Sequence, residues 1–178
     1  MPADAPVLAA LSLGGNVGDV IGAFRHALAR LAATPGVELV ATSSVWRTKA
    51  WGRTDQPDFL NMCVLARASL SPRDLLALCL AIESERGRER AERWGPRTLD
   101  IDVLTYGDLA LDEPGLTLPH PRLFERAFVL APLAEIAGDL RIGGEAVGDL
   151  AARVDMAGVA VDSAASQSLA ISPRPARP

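Results

Sequence analysis

The chain of 178 residues has no apolar run of about 18 residues, so no membrane-spanning helix is expected. Its first residues, Met1-Pro2-Ala3-Asp4-Ala5-Pro6, hold no basic cluster, and no secretory signal is expected there. There are two cysteines, Cys63 and Cys79, far apart and without metal-ligand or redox spacing. They read as buried free thiols of a reducing, cytoplasmic compartment. Aromatic residues are 4% of the chain, and there are two histidines. The net charge is −4, which removes a global case for nucleic-acid binding. Positive charge is local instead: Arg86, Arg88, Arg90, Arg93 and Arg97 fall within twelve residues. A basic patch on an acidic protein suits a small polyanion better than a long one.

Next to that patch stands the most informative segment, Arg93-Trp94-Gly95-Pro96-Arg97-Thr98-Leu99-Asp100-Ile101-Asp102-Val103. Its second half is an apolar, β-branched run and reads as a strand. On a strand Asp100 and Asp102 share one face, and Leu99, Ile101 and Val103 the other. Two like charges side by side repel unless a cation lies between them. Carboxylates beside guanidinium groups equip a chain for a Mg²⁺–polyphosphate complex: the metal takes oxygens and the arginines take phosphates. A solvated sheet face would look similar without the arginines.

The order of elements is legible from periodicity and punctuation. Val7 to Leu13 reads as a buried strand ending in Gly14-Gly15-Asn16. Asp19 caps a helix with an apolar stripe of Val20, Ile21, Phe24, Leu28 and Leu31, ended by Thr34-Pro35-Gly36. Val37 to Trp46 reads as one strand, Arg47 to Asp58 as a long loop of the kind that covers sites, and Phe59 to Ala68 as a strand. Ser71-Pro72-Arg73-Asp74 starts a second helix that Gly87 would end. After the arginine loop and the carboxylate strand, Tyr106-Gly107-Asp108 is a turn that would open a hairpin with Leu109 to Leu111. Leu123 to Ile136 reads as two helices broken at Pro132, and Val147 to Val154 as a last helix. From Asp162 onward the Ser-, Ala- and Pro-rich composition reads as a flexible tail, leaving a single domain over 1–161. Strand–helix–strand–strand–helix–strand is the split β-α-β order of a ferredoxin-like α/β (α+β) sandwich, with a mainly antiparallel sheet and helices on one face.

Further candidates gather around the same loops. His120 is held between Pro119 and Pro121 and could donate to a phosphate or act as a base. Trp51, Phe59, Trp94 and Phe128 could stack a flat heterocycle, although each alone would suit a core equally well. Asn61 shares a strand face with Phe59 and could bond the ring's edge. Gly14-Gly15-Asn16-Val17-Gly18 lacks the Lys-Ser/Thr of a phosphate loop and reads as a tight turn.

These blocks, in this order, resemble the 6-hydroxymethyl-7,8-dihydropterin pyrophosphokinase family. The blocks are Leu13-Gly14-Gly15-Asn16; Arg47-Thr48 through Asp55-Gln56-Pro57-Asp58-Phe59-Leu60-Asn61; Gly87-Arg88 through Arg93-Trp94-Gly95-Pro96-Arg97-Thr98-Leu99-Asp100-Ile101-Asp102; and Leu116-Thr117-Leu118-Pro119-His120-Pro121 through Arg126-Ala127-Phe128. The resemblance implies a ferredoxin-like sandwich with three catalytic loops. It also implies transfer of pyrophosphate from ATP to the hydroxymethyl group of the pterin, releasing AMP, in folate biosynthesis.

By the same resemblance Asp100 and Asp102 hold two Mg²⁺ ions, and Arg88 and Arg97 contact the transferring phosphates. Glu83, Arg90, Arg93, Trp94, Val103, Thr117, His120 and Arg126 fall on the nucleotide side. Phe59 and Phe128 sandwich the pterin, and Thr48, Trp51 and Asn61 surround its edge. The implied enzyme is a cytoplasmic monomer with small-molecule substrates, touching neither nucleic acid nor membrane. Four departures stand out: Gly15 where the family has Ser, Phe59 where it has a tyrosine-type ring, an arginine loop one residue shorter, and Gly115 where an arginine is common. A ferredoxin-like module that recognises RNA or a regulatory nucleotide is the rival class, but the RNA-recognition version would carry stacked aromatics in a basic strand motif that is missing here. A homologue that binds a pterin without catalysis is a second rival.

Overall fold

The computed structural model describes residues 5–50, 55–86 and 98–169, and its centre is the first apolar run of the chain. This strand, β1 (Val7–Gly15), is buried on both faces, as a middle strand covered on both sides must be. It pairs antiparallel with β4 (Phe59–Ala68) on one side and β5 (Asp100–Tyr106) on the other. β2 (Val37–Thr42) and β3 (Trp46–Thr48) pair in turn with successive parts of β4, and β10 (Val159–Val161) adds to the outer edge of β3. Helices α1 (Val20–Ala33) and α2 (Pro72–Glu85) make the two crossovers. The strand order β2–β4–β1–β5, all antiparallel, is the expected ferredoxin-like sandwich.

Local chemistry explains the helix starts. The Asp19 carboxylate accepts from the Gly22 amide at 2.8 Å, and the Ser71 hydroxyl from the Asp74 amide at 3.1 Å. One core lies between these helices and the sheet, where Phe24, Leu31, Leu75 and Ile82 pack on Leu11, Leu13, Met62 and Val64.

The expectation of helices on one face is corrected. A second core forms on the other face, where Ala10, Cys63, Leu65 and Leu104 meet α3 (Ala127–Ala137) and α4 (Val147–Arg153). β1 and β4 are therefore apolar at successive positions rather than alternating, the pattern of strands covered on both sides. Burial pushes both thiols up, that of Cys79 to about 12. Both cysteines should resist a thiol reagent at pH 8 in the native protein and both should titrate after unfolding, an outcome that a colorimetric thiol count checks.

Four element boundaries differ from expectation. The segment Val37 to Trp46 is two strands, because the chain leaves the ladder at Ser43, whose hydroxyl accepts from the Cys63 amide at 2.9 Å. The turn at Tyr106-Gly107-Asp108 forms, but no hairpin follows from it. Instead β6 (Leu111–Glu113) pairs with β7 (Leu116–Leu118) around Pro114-Gly115, where Gly115 has φ +83°.

The helical break falls at Arg126, between a 3₁₀ turn (Leu123–Glu125) and α3. Pro132 stays inside α3, where burial of Val129, Leu130 and Leu133 outweighs one lost hydrogen bond. The chain beyond Asp162 does not pass straight into a tail. It forms α5 (Ser163–Leu169), whose Leu169 is 4% exposed in the first core. A small hairpin, β8 (Arg141–Ile142) with β9 (Glu145–Ala146), precedes α4. No helix among the described residues is long and apolar enough to cross a membrane.

Candidate active site

The sheet face toward α3 is apolar at one end and polar at the other. The polar end is where β1 stops and where β4 and β5 begin, so residues 16–19, 55–58 and 98–99 all lead to it. Register builds the row. Gly14 lies between Asp100 on β5 and Asn61 on β4, and Ser12 between Asp102 and Cys63. Asp100 and Asp102 point the same way, as alternation requires, and both are half-buried.

Two strand spacings put the backbones of Asp100 and Asn61 roughly 10 Å apart. Gly14 leaves the space between them open. A methyl group there would stand 3.0 Å from Asn61 Oδ1.

Asp102 is the electrostatic focus. Its Oδ2 is 3.6 Å from Nη1 of Arg126 and 3.8 Å from Nε2 of His120. These are ion-pair distances, longer than direct hydrogen bonds. The His120 amide donates to the Leu104 carbonyl at 2.8 Å, which ties this residue to β5. Its Nδ1 accepts from the Arg122 amide at 3.2 Å, so the neutral ring carries its proton on Nε2, toward Asp102. Burial lowers the pKa of His120 below the usual imidazole range, against the opposing pull of Asp102, with Arg126 lowering it further. Arg126 also lies 5.6 Å from the centroid of the Phe128 ring, within cation–π range.

The other half of the row is uncharged. Asn61 and Thr48 are 4% and 3% exposed, and Asn61 Nδ2 donates to Thr48 Oγ1 at 3.1 Å. Phe59 is cross-strand neighbour to Thr48. Phe128 is half-buried on α3 beside the second core. Asn16, read in the sequence as part of a tight turn, makes long-range contacts that the turn motif does not announce. Its Nδ2 donates to Gln56 Oε1 and to the Pro57 carbonyl, both at 3.1 Å, and so holds the end of the 49–58 segment against β1.

Two expected nucleotide contacts are placed otherwise. The Val103 side chain is 4% exposed in the first core, because alternation turns it away from Asp102, so only its backbone can meet a ligand. Glu83 is 1% exposed between α2 and β5, where its Oε1 accepts from the Ile101 amide at 2.6 Å. Thr117 sits on β7 and donates to Asp112 at 3.1 Å.

Trp51, Arg88, Arg90, Arg93, Trp94 and Arg97 lie outside the described residues. The start of the arginine segment is anchored, however. Glu85, last residue of α2, accepts from Arg30 at 2.9 Å and pairs with His26 at 2.7 Å, and these bonds hold its carboxyl down at about 2.

Among the described residues no three His, Cys, Asp or Glu side chains converge on a metal position. Two hard carboxylates on one strand face fit Mg²⁺, which commonly takes one or two carboxylates and completes its shell with water and substrate phosphates. A groove of about 340 Å³ between Gly107–Leu109 and the β8–β9 hairpin contains none of these residues.

Comparison with known proteins gives the family and the fold. Residues 10–138 match a family model described as 7,8-dihydro-6-hydroxymethylpterin-pyrophosphokinase (HPPK). The chain is 50% identical over 149 residues to a 2-amino-4-hydroxy-6-hydroxymethyldihydropteridine pyrophosphokinase of Methylorubrum extorquens, covering 84% of this chain and 94% of that protein. It is 46% identical over 129 residues to the Bacillus subtilis protein of the same name, covering 72% and 77%. Among solved structures, Plasmodium falciparum HPPK-DHPS superposes with a TM-score of 0.66 at 13% identity, a likeness of fold. That match covers 84% of this chain and 44% of the solved one, so the chain spans less than half of it.

Proposed function

The chain belongs to the 7,8-dihydro-6-hydroxymethylpterin-pyrophosphokinase family and is an ATP-using pyrophosphokinase of folate biosynthesis, and we propose that its carboxylate row is where pyrophosphate passes from ATP to the pterin hydroxymethyl group. The observation that carries this reading is the division of one sheet face, with Asp100 and Asp102 at one side of Gly14 and Asn61 with Thr48 at the other.

Asp100 and Asp102 would hold the two Mg²⁺ ions that the resemblance implies. When bound, the metal would supply neutralisation of phosphate charge and a lowered pKa for the attacking hydroxyl. Arg126 and His120 Nε2 flank Asp102 and donate toward the nucleotide, whose remaining contacts come from Arg90, Arg93, Trp94 and Thr117. Arg88 and Arg97 stabilise the charge that grows on the phosphates being separated.

On the other side Phe59 and Phe128 take the faces of the flat ring. Asn61, its amide oriented by Thr48, presents Oδ1 to the ring's edge, with Trp51 nearby in sequence. Glu83 serves this site by holding β5, and Val103 only through its backbone. No side chain of the described site is placed as an evident general base. The residues instead hold the hydroxyl in line and neutralise charge.

The test is product analysis with ATP, Mg²⁺ and 6-hydroxymethyl-7,8-dihydropterin. AMP should form only when pterin and Mg²⁺ are both present. ADP as the product, or AMP formed without pterin, overturns the reading. In the same assay Arg97→Ala should lower kcat by roughly 10²–10³-fold, the loss typical of a removed transition-state donor, and change the KM for pterin little.

A further inference from the structure

The family match ends at residue 138, yet the chain beyond it returns to the candidate site. Residues 158–166 pair or hydrogen-bond with each residue from Val45 to Lys49. The β10 ladder pairs Val159 with Thr48, Ala160 with Arg47 and Val161 with Trp46. The Lys49 amide donates to the Gly158 carbonyl at 3.2 Å, and the Asp162 amide to Val45 at 2.8 Å. The Val45 amide in turn donates to Ser166 Oγ at 2.9 Å. Leu169, buried in the first core, fixes the far end.

Arg47 joins this segment to both ends of the 49–58 connection. Its Nη2 and Nε donate to Asp162 Oδ2 at 2.5 and 3.0 Å, and its Nη1 lies 3.9 Å from Asp58, the residue before Phe59. Asp162 is itself fixed, because Oδ1 accepts from the Ala165 amide at the start of α5.

We propose that residues 158–169 form a clasp that sets the pterin edge of the site, with Asp162 as a positioning residue acting through Arg47 on Thr48, Asp58 and Phe59. This rests on the placement of the pterin at Thr48, Phe59 and Asn61. A strand that only adds stability would weaken both substrates alike when loosened. A clasp on this edge weakens the pterin selectively.

The experiment uses the full chain and the variants Asp162→Ala, Arg47→Ala and their double. Pterin affinity is measured by calorimetry with Mg²⁺ and a non-hydrolysable ATP analogue, analogue affinity is measured separately, and a melting curve is recorded for each protein. Each single variant should bind pterin roughly fivefold more weakly, the scale of one partly exposed ion pair. The double variant should be no worse than either single, since the two act as one unit. Analogue affinity should stay within about twofold.

Equal weakening of both ligands, or unchanged pterin affinity in folded variants, overturns the clasp. If Asp162→Ala does not fold, Asp162→Asn removes the charge and keeps the acceptor for Ala165, and the same readings decide. Phe59→Ala separates the two layers of the argument. If it leaves pterin affinity unchanged, the pterin placement fails. If it weakens pterin while Asp162→Ala does not, the clasp alone fails.

Discussion

Asp100→Ala should abolish most turnover. Asp100 and Asp102 share one face of β5, both half-buried, and like charges so placed repel unless a cation lies between them. One carboxylate cannot replace two in holding the metal and its phosphates, so Mg²⁺ with an ATP analogue should raise the melting temperature of the variant less than that of the unchanged protein. Changes to residues that merely support a ligand cost roughly 10–100-fold, so loss of the ligand itself should cost at least about 100-fold in kcat.

Asp102→Ala should lose as much activity. It also removes the carboxylate that faces Arg126 at 3.6 Å and His120 at 3.8 Å, so its melting temperature without ligands should not rise. Steady-state AMP formation and melting curves with and without Mg²⁺ and an ATP analogue check both variants. Near-normal AMP formation by either one would sink the metal assignment.

What could be read in advance follows the range of the interactions. β4 runs from Phe59 to Ala68, the limits that its apolar run and flanking residues imply, and the Asp19 and Ser71 caps form as local chemistry requires. The carboxylate pair was legible for the same reason, since strand alternation alone puts Asp100 and Asp102 on one face. β3 and α5 were not legible, because distant partners define them. Ser43 ends β2 through Cys63, and Ser166 fastens α5 through Val45. A Ser- and Ala-rich stretch gives no composition signal for such bonds, and one buried Leu169 is enough to anchor it. Glu83 is an intermediate case. Leu75, Cys79, Ile82 and Glu83 share one helical stripe, so a charged residue on the buried face was visible in the spacing, but its partner on β5 was not.

That partner makes Glu83→Ala the second large effect. Among the described residues β5 is the last strand of the sheet on its side, with no further strand paired to its outward amides. The Glu83 carboxylate supplies an acceptor for the Ile101 amide at 2.6 Å, inside the core. Alanine removes that acceptor, which costs about 1–3 kcal/mol for the buried amide, and leaves space where the side chain was. A total of about 2–4 kcal/mol corresponds to a melting temperature lower by roughly 5–15 °C for a chain of this size.

Activity should fall further than stability explains. Ile101 is the residue between Asp100 and Asp102, and a 1 Å misplacement of reacting groups can cost roughly 100-fold. Glu83→Gln keeps a carbonyl oxygen for Ile101 and should retain most of the stability and turnover. A nucleotide contact at Glu83, the role that family resemblance implies, predicts instead a raised KM for ATP in the glutamine variant and unchanged melting in the alanine one. The KM for ATP of the first and the melting curve of the second together decide whether Glu83 holds the carboxylate strand or touches the nucleotide.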